Sequence, residues 1–131
     1  DARYEQEVLP RARHQGVGTV CFKTFGAGKL VGDTSGYGQP LSPETLSHLS
    51  AAAALGDGPV LPRVSVEACV HYTLTVDPDV ALLGLSTPEE QDAAFNAART
   101  FHRLSPAHLA AVRQKATMAM RGKGGAHWNP D

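Results

Sequence analysis

Asp79-Val-Ala-Leu-Leu-Gly-Leu-Ser-Thr-Pro-Glu-Glu-Gln91 decides the fold. The apolar run Val80 to Leu83 stops at Gly84, and a helix start follows at once. Thr87 is placed as N-cap, Pro88 at the first helical position, and Glu90 three residues after the threonine. That spacing predicts a capping box, in which hydroxyl and carboxylate satisfy orphan backbone N–H groups reciprocally. Successive apolar residues suit a strand covered on both faces, as in a parallel sheet with helices packed over it. A strand that ends in glycine and feeds a helix N-terminus presents N–H groups and a positive dipole end, which suits a phosphate. An ordinary strand–helix junction that holds nothing reads the same way.

The same start signal recurs at Ser42-Pro43 and Ser105-Pro106. Each sets an N-cap before a proline at N1. They predict helices over 43–55, ended by Gly56, and over 106–120, with Leu109, Val112 and Ala116 on one stripe. Ser65 caps a further helix over 66–76, where Val66, Val70 and Leu74 recur every four residues. The junction helix runs from Pro88 to about Phe101. Near the start, residues 5–14 read as a short helix ended by Gly16 or Gly18. A strand over 17–22 follows, centred on Val20, Cys21 and Phe22. Between that strand and Ser42 lies Lys23 to Pro40, a segment with five glycines that reads as a functional loop or a plain surface one.

The order helix, strand, loop, helices, strand, helix, helix argues for an α/β fold with parallel strands. Two strands alone make a poor sheet, so the pattern reads as part of a larger one. The chain opens at Asp1 with a helical pattern already running, as in a piece of something longer, and its 131 residues make a single partial domain. A net charge of −1 argues against nucleic acid or an anionic membrane as main partner. No apolar run reaches the ~18 residues of a membrane span, and no signal-peptide pattern is present. Cys21 and Cys69 read as buried thiols in a reducing, cytoplasmic setting. The six histidines never fall at i, i+4, and there is no Cys-x-x-Cys, nucleophile elbow or Walker A. Gly26-Ala27-Gly28 is no Rossmann fingerprint, since the third glycine is missing. Lys23, at a strand end, can meet a phosphate or a carboxylate, or simply water.

Three segments in this order carry a resemblance. They are Glu7-Val-Leu-Pro-Arg-Ala-Arg-His-Gln-Gly-Val-Gly18, Cys21-Phe-Lys-Thr-Phe-Gly-Ala-Gly-Lys-Leu30 and Asp79 to Ser86 with the Pro-Glu-Glu behind it. Together they resemble the C-terminal half of aldo/keto reductases, TIM-barrel enzymes that reduce aldehydes and ketones with NADPH or NADH. The resemblance implies that 18–22 and 80–83 are the seventh and eighth strands of a (β/α)8 barrel, with residues 105–131 as C-terminal extension. It implies a cofactor site at the strand ends, where such barrels keep their chemistry. Lys23, Phe25, Gly26 and Gly28 would lie along the pyrophosphate, and Gly84, Ser86, Thr87 and Glu90 along the adenosine ribose and its 2′-phosphate. The partners implied are the nicotinamide cofactor and a small carbonyl substrate.

The chain departs from the family in two places. Where the family often has Gly-x-Ser-x-x-x-Gln-x-x-x-Asn, ungapped alignment gives Glu90 and Ala94, and a shift of one gives Gln91 and Phe95. A carboxylate at this place repels a 2′-phosphate. The family's catalytic Asp, Tyr, Lys and His belong to the N-terminal half of the barrel, so no catalytic residue is expected here. Tyr4, Tyr37 and Tyr72 do not stand in the matching context. Trp128, in the glycine-rich tail, either borders the substrate pocket or caps the hydrophobic rim. Two further readings stay open: a non-catalytic nucleotide-binding or subunit-interaction module of the same fold, and a free-standing small α/β domain.

Overall fold

The computed structural model describes residues 4–47, 62–85 and 87–125. The chain enters through a π-helical turn, Tyr4–Val8, that tightens into α1, Leu9–His14. The expected single helix over 5–14 is therefore two pieces. Pro10 sits in the first turn of α1, where its missing N–H costs nothing. Gly16, at φ +65°, ends the helix as expected.

β1, Val20–Cys21, then pairs in parallel with β2, Val80–Ala81, in the register Val20 to Val80 and Cys21 to Ala81. The pairing is clamped one residue upstream. The Asp79 carboxylate accepts from the Thr19 N–H at 2.6 Å and the Thr19 hydroxyl at 2.8 Å. The Asp79 N–H donates back to that hydroxyl at 3.1 Å. These bonds, the backbone N–H first, hold the Asp79 carboxyl below its ordinary 3.8.

Between the strands runs α2, Val66–Val76, capped by Ser65, whose hydroxyl accepts from the Ala68 N–H at 3.1 Å. It ends at Asp77 in the left-handed conformation, φ +66°. Arg13 donates to the Val76 carbonyl at 3.1 Å and the Asp77 carbonyl at 2.7 Å, so α1 is tied to orphan carbonyls at the end of α2. After β2 come α3, Pro88–Arg99, and α4, Pro106–Met120. Thr87 and Glu90 form the expected capping box, and Ser105 caps α4 through the His108 N–H. Residues 43–47 are helical, with Ser42 as cap. The rest of that predicted helix, and most of the turn after it, fall outside the described residues.

The core lies where α2, α3 and α4 meet the glycine loop. Phe25, Val64, Cys69, Val70, Ala94, Ala97 and Ala119 are buried there, with Leu83, Leu85, Val112 and Ala116 packed against them. The alanines let the helices approach closely. His71, also buried, donates Nε2–H to the Ala97 carbonyl at 2.9 Å and meets Phe101 and His102 edge-on, which makes it a strut between α2 and α3.

Three expectations are corrected. The strands are shorter than 17–22 and 80–83, and only one face of the sheet is covered. Side chains alternate across a strand. Cys21 and Ala81 turn toward the helices, while Val20, Phe22, Val80 and Leu82 are between 47% and 57% exposed. The apolar run that suggested two covered faces thus leaves the side with Val20, Phe22, Val80 and Leu82 bare. Cys69 is buried as expected, but Cys21 is only half-buried. Burial pushes the Cys69 thiol up to about 12 and the Cys21 thiol up as well, so both are protonated near neutral pH. Among the described residues no helix is long and apolar enough to cross a membrane.

A carboxyl held low contributes stability that is complete above its ordinary value and lost as pH falls through its lowered one. Asp79→Asn is therefore expected to lower the urea midpoint at neutral pH and to flatten its decline below about pH 4. Equal acid limbs in variant and parent would show that the clamp does not hold the strands.

Candidate functional site

The carboxyl ends of both strands open into one cavity of 590 Å³. On the β1 side it is walled by Phe22, Lys23, Thr24, Phe25, Ala27 and Gly28. The β2 side gives Leu82, Leu83, Gly84 and Leu85, α3 gives Glu90, and the tip of the glycine loop gives Tyr37 and Gly38. Its size and largely apolar lining, with a few polar groups, suit a small-molecule site.

Of the eight positions expected at a cofactor, Lys23, Phe25, Gly28, Gly84 and Glu90 line this cavity together. Phe25 is also a core residue, 8% exposed, so cavity wall and core share its side chain. Gly26 is not in the wall. It is buried at φ +58°, and a Cβ there would sit 3.2 Å from Leu30 Cγ, which makes it a packing glycine in a left-handed turn. Thr87 is exposed and spends its hydroxyl on the Glu90 N–H, capping α3. Ser86 lies outside the described residues, as does Trp128.

Lys23 carries the site's positive charge. Its backbone is left-handed, φ +63°, an uncommon state for a residue with a Cβ. Its ammonium donates to the Tyr37 hydroxyl and stands 4.1 Å from the centre of the Tyr37 ring. Glu90 is the cavity's carboxylate; it accepts from the Thr87 N–H at 3.3 Å.

Sequence reasoning missed Tyr37 and Thr24. Tyr37 stands between two glycines at positive φ and is itself at φ +54°. An aromatic between two glycines in a loop was the available signal. Its N–H donates to the Ala27 carbonyl at 2.8 Å, which folds the loop tip back over the cavity. Thr24 has a buried hydroxyl with no hydrogen-bond partner, and no pattern in the sequence marks it.

The glycine loop is held from behind by two buried lysines. Lys29, 3% exposed, donates to the Gly125 carbonyl at 2.9 Å and the Gly124 carbonyl at 3.3 Å. Lys123, 0% exposed, donates to the Gly32 carbonyl at 2.7 Å and the Lys29 carbonyl at 2.8 Å, with Asp33 at 3.6 Å. Loop and tail thus grip each other reciprocally. Burial pushes the Lys123 ammonium down, and Asp33 partly restores it. Asp33, held low chiefly by its hydrogen bond from Arg63, stays an anion to do so.

In comparisons with protein-family models, curated proteins and solved structures, nothing matches the chain.

Lys123→Met keeps the bulk of the side chain but takes the ammonium donor from the Lys29 and Gly32 carbonyls and leaves Asp33 with Arg63. It is expected to cost about 2–4 kcal/mol in unfolding free energy by urea titration. A loss below about 0.5 kcal/mol would mean that the grip adds nothing.

Proposed function

We propose that the chain is the cofactor-binding last part of a (β/α)8 barrel resembling NAD(P)H-dependent aldo/keto reductases. The strand-end cavity then receives the dinucleotide. The observation that carries this reading is the parallel pairing of β1 and β2, with helix between them and both carboxyl ends open on one cavity. Ligands of parallel α/β folds sit at that end of the strands. The bare face formed by Val20, Phe22, Val80 and Leu82 supports it, because an apolar face of that kind is suited to further strands or to the packed interior of a barrel.

The residues fit the cofactor. The Lys23 ammonium is placed to meet a phosphate oxygen, and Gly28 and Gly84 leave the backbone approachable from the cavity. Leu82, Leu83 and Leu85 give the wall an apolar side against which a ring could pack. When bound, the dinucleotide supplies a hydride to a carbonyl carbon, turning an aldehyde or ketone into an alcohol. By the resemblance, the proton donor and its Asp, Lys and His partners come from the N-terminal half of the barrel, and this chain contributes binding and orientation. The free, protonated thiols support a reducing, cytoplasmic setting. The bare sheet face equally favours a second reading, a non-catalytic nucleotide-binding or subunit-interaction module of the same fold.

Calorimetric titration of the protein with NADH and with NADPH tests the cofactor site. Saturable binding of at least one is expected, weakened about tenfold by Lys23→Ala, or ~1.4 kcal/mol. Absence of binding by both overturns the reading. Binding without dinucleotide oxidation across a panel of aldehydes and ketones, measured on the chain together with the N-terminal half of its barrel, selects the non-catalytic module.

A further inference from the structure

We propose that a second cavity, between β1 and the helices α2 and α4, binds a small uncharged molecule that is largely apolar and carries a hydroxyl or carbonyl oxygen. The proposal does not depend on the cofactor reading. The cavity measures 440 Å³, within the usual size range of small-molecule pockets. Residues 22–24 line both this cavity and the strand-end one, so that segment is the partition between them. The rest of the wall comes from elsewhere: Tyr4 and Glu5 from the entry turn, Cys69 and Tyr72 from α2, Val112 and Arg113 from α4. Two orphaned hydroxyls mark it. Among the described residues, the buried side-chain oxygens without a hydrogen-bond partner are those of Tyr4 and Thr24, and both residues line this one cavity. Buried polar atoms are nearly always partnered, and an oxygen of a bound molecule would supply the missing partner.

The remaining wall sets the class of molecule. Val64, Val76, Val112 and Ala116 give it an apolar body. Its ionic groups are already engaged. The Glu5 carboxylate accepts from the Tyr72 hydroxyl and from Arg113, whose Nε donates to that same hydroxyl at 2.7 Å. The Lys23 ammonium stands over the ring of Tyr37, a residue of the strand-end cavity. A charged molecule would have to break into the pair of Glu5 and Arg113, and depriving either of its partner is costly. Burial, chiefly, keeps the Tyr4 phenol and the Cys21 and Cys69 thiols protonated near neutral pH. A neutral hydroxyl both donates and accepts. Tyr4 and Thr24 can therefore meet an alcohol or a carbonyl oxygen, while the aliphatic side chains hold the body of the molecule.

Benzyl alcohol, toluene and benzoate share a ring and differ in the group it carries, so they probe the oxygen and the charge separately. Each is titrated into the protein and followed by amide chemical shifts. Benzyl alcohol is expected to saturate with a Kd at or below about 1 mM and to shift the amides of Cys69, Tyr72 and Val112. It is expected to bind about fivefold tighter than toluene and at least about tenfold tighter than benzoate. Tyr4→Phe and Thr24→Val each delete one hydroxyl and keep the shape of the side chain. Each is expected to weaken benzyl alcohol about threefold and to leave toluene within about twofold, while the ligand-free variant melts no lower than its parent. A lowered melting temperature for Tyr4→Phe would show a hydroxyl engaged in holding the fold, and overturns the proposal. Absence of saturable shifts with benzyl alcohol does the same, as do equal affinity for benzoate and unchanged affinity in both variants. Shifts confined to Gly28, Gly84 and Glu90 would put the probe in the strand-end cavity and likewise overturn it.

Discussion

Thr19 and Asp79 exchange three hydrogen bonds across 60 residues, immediately before two strands of two residues each. So short a ladder has little to set its own register. A slip of β1 by one residue would turn Cys21 outward and bring Val20 against the helices, out of step with Ala81 on β2. It would also move Lys23 away from the end of β2. The clamp decides which face packs, and hence that the loops after both strands border the same space.

The second constraint is how the glycine loop keeps its shape. It has almost no side-chain mass to pack with, and several of its residues, Ala27 and Tyr37 among them, adopt positive φ. Such a conformation persists only if its surroundings fix it. Phe25 anchors one end in the core, the Tyr37 N–H ties the tip to Ala27, and the two lysines brace the back. A lysine surrounded by carbonyls is costly to bury, and it is tolerated here because its N–H groups find acceptors. The alanine-lined contact between α2 and α3 gives the loop a firm floor, with His71 as its polar strut.

Helix starts were legible in the sequence because caps are local. Ser42, Ser65, Thr87 and Ser105 each announce a helix within three residues, and each accepts the expected N–H. The end of α1 at Gly16 was legible for the same reason. The strand pair and its parallel sense followed from the order of elements. The extent of the strands and the bare face did not, since those depend on what packs against them. Val80-Ala-Leu-Leu83 reads alike whether one side or both are covered. Of the candidate site, the residues at strand ends were legible, and Glu90 was visible through its cap. Tyr37 was hidden because a loop tip's return over a cavity is set by distant contacts. Lys29 and Lys123 were hidden too, because a lysine in a glycine-rich stretch reads as solvated until its acceptors, more than 90 residues away, are seen.

That separation bears on the order in which the domain assembles. Residues 29–32 find their partners among residues 123–125, with α2, β2, α3 and α4 all lying between. Contacts so remote in sequence close after local ones, because loop closure must be met before they reward it. The helices and their alanine contacts can condense while the glycine loop is still unset, and the loop's final form waits on the tail. In the folded protein the same bonds work in reverse. Fraying of residues 121–125 would release the Lys29 and Lys123 bonds at the back of the loop without breaking the strand pairing, a local opening that need not involve the whole domain.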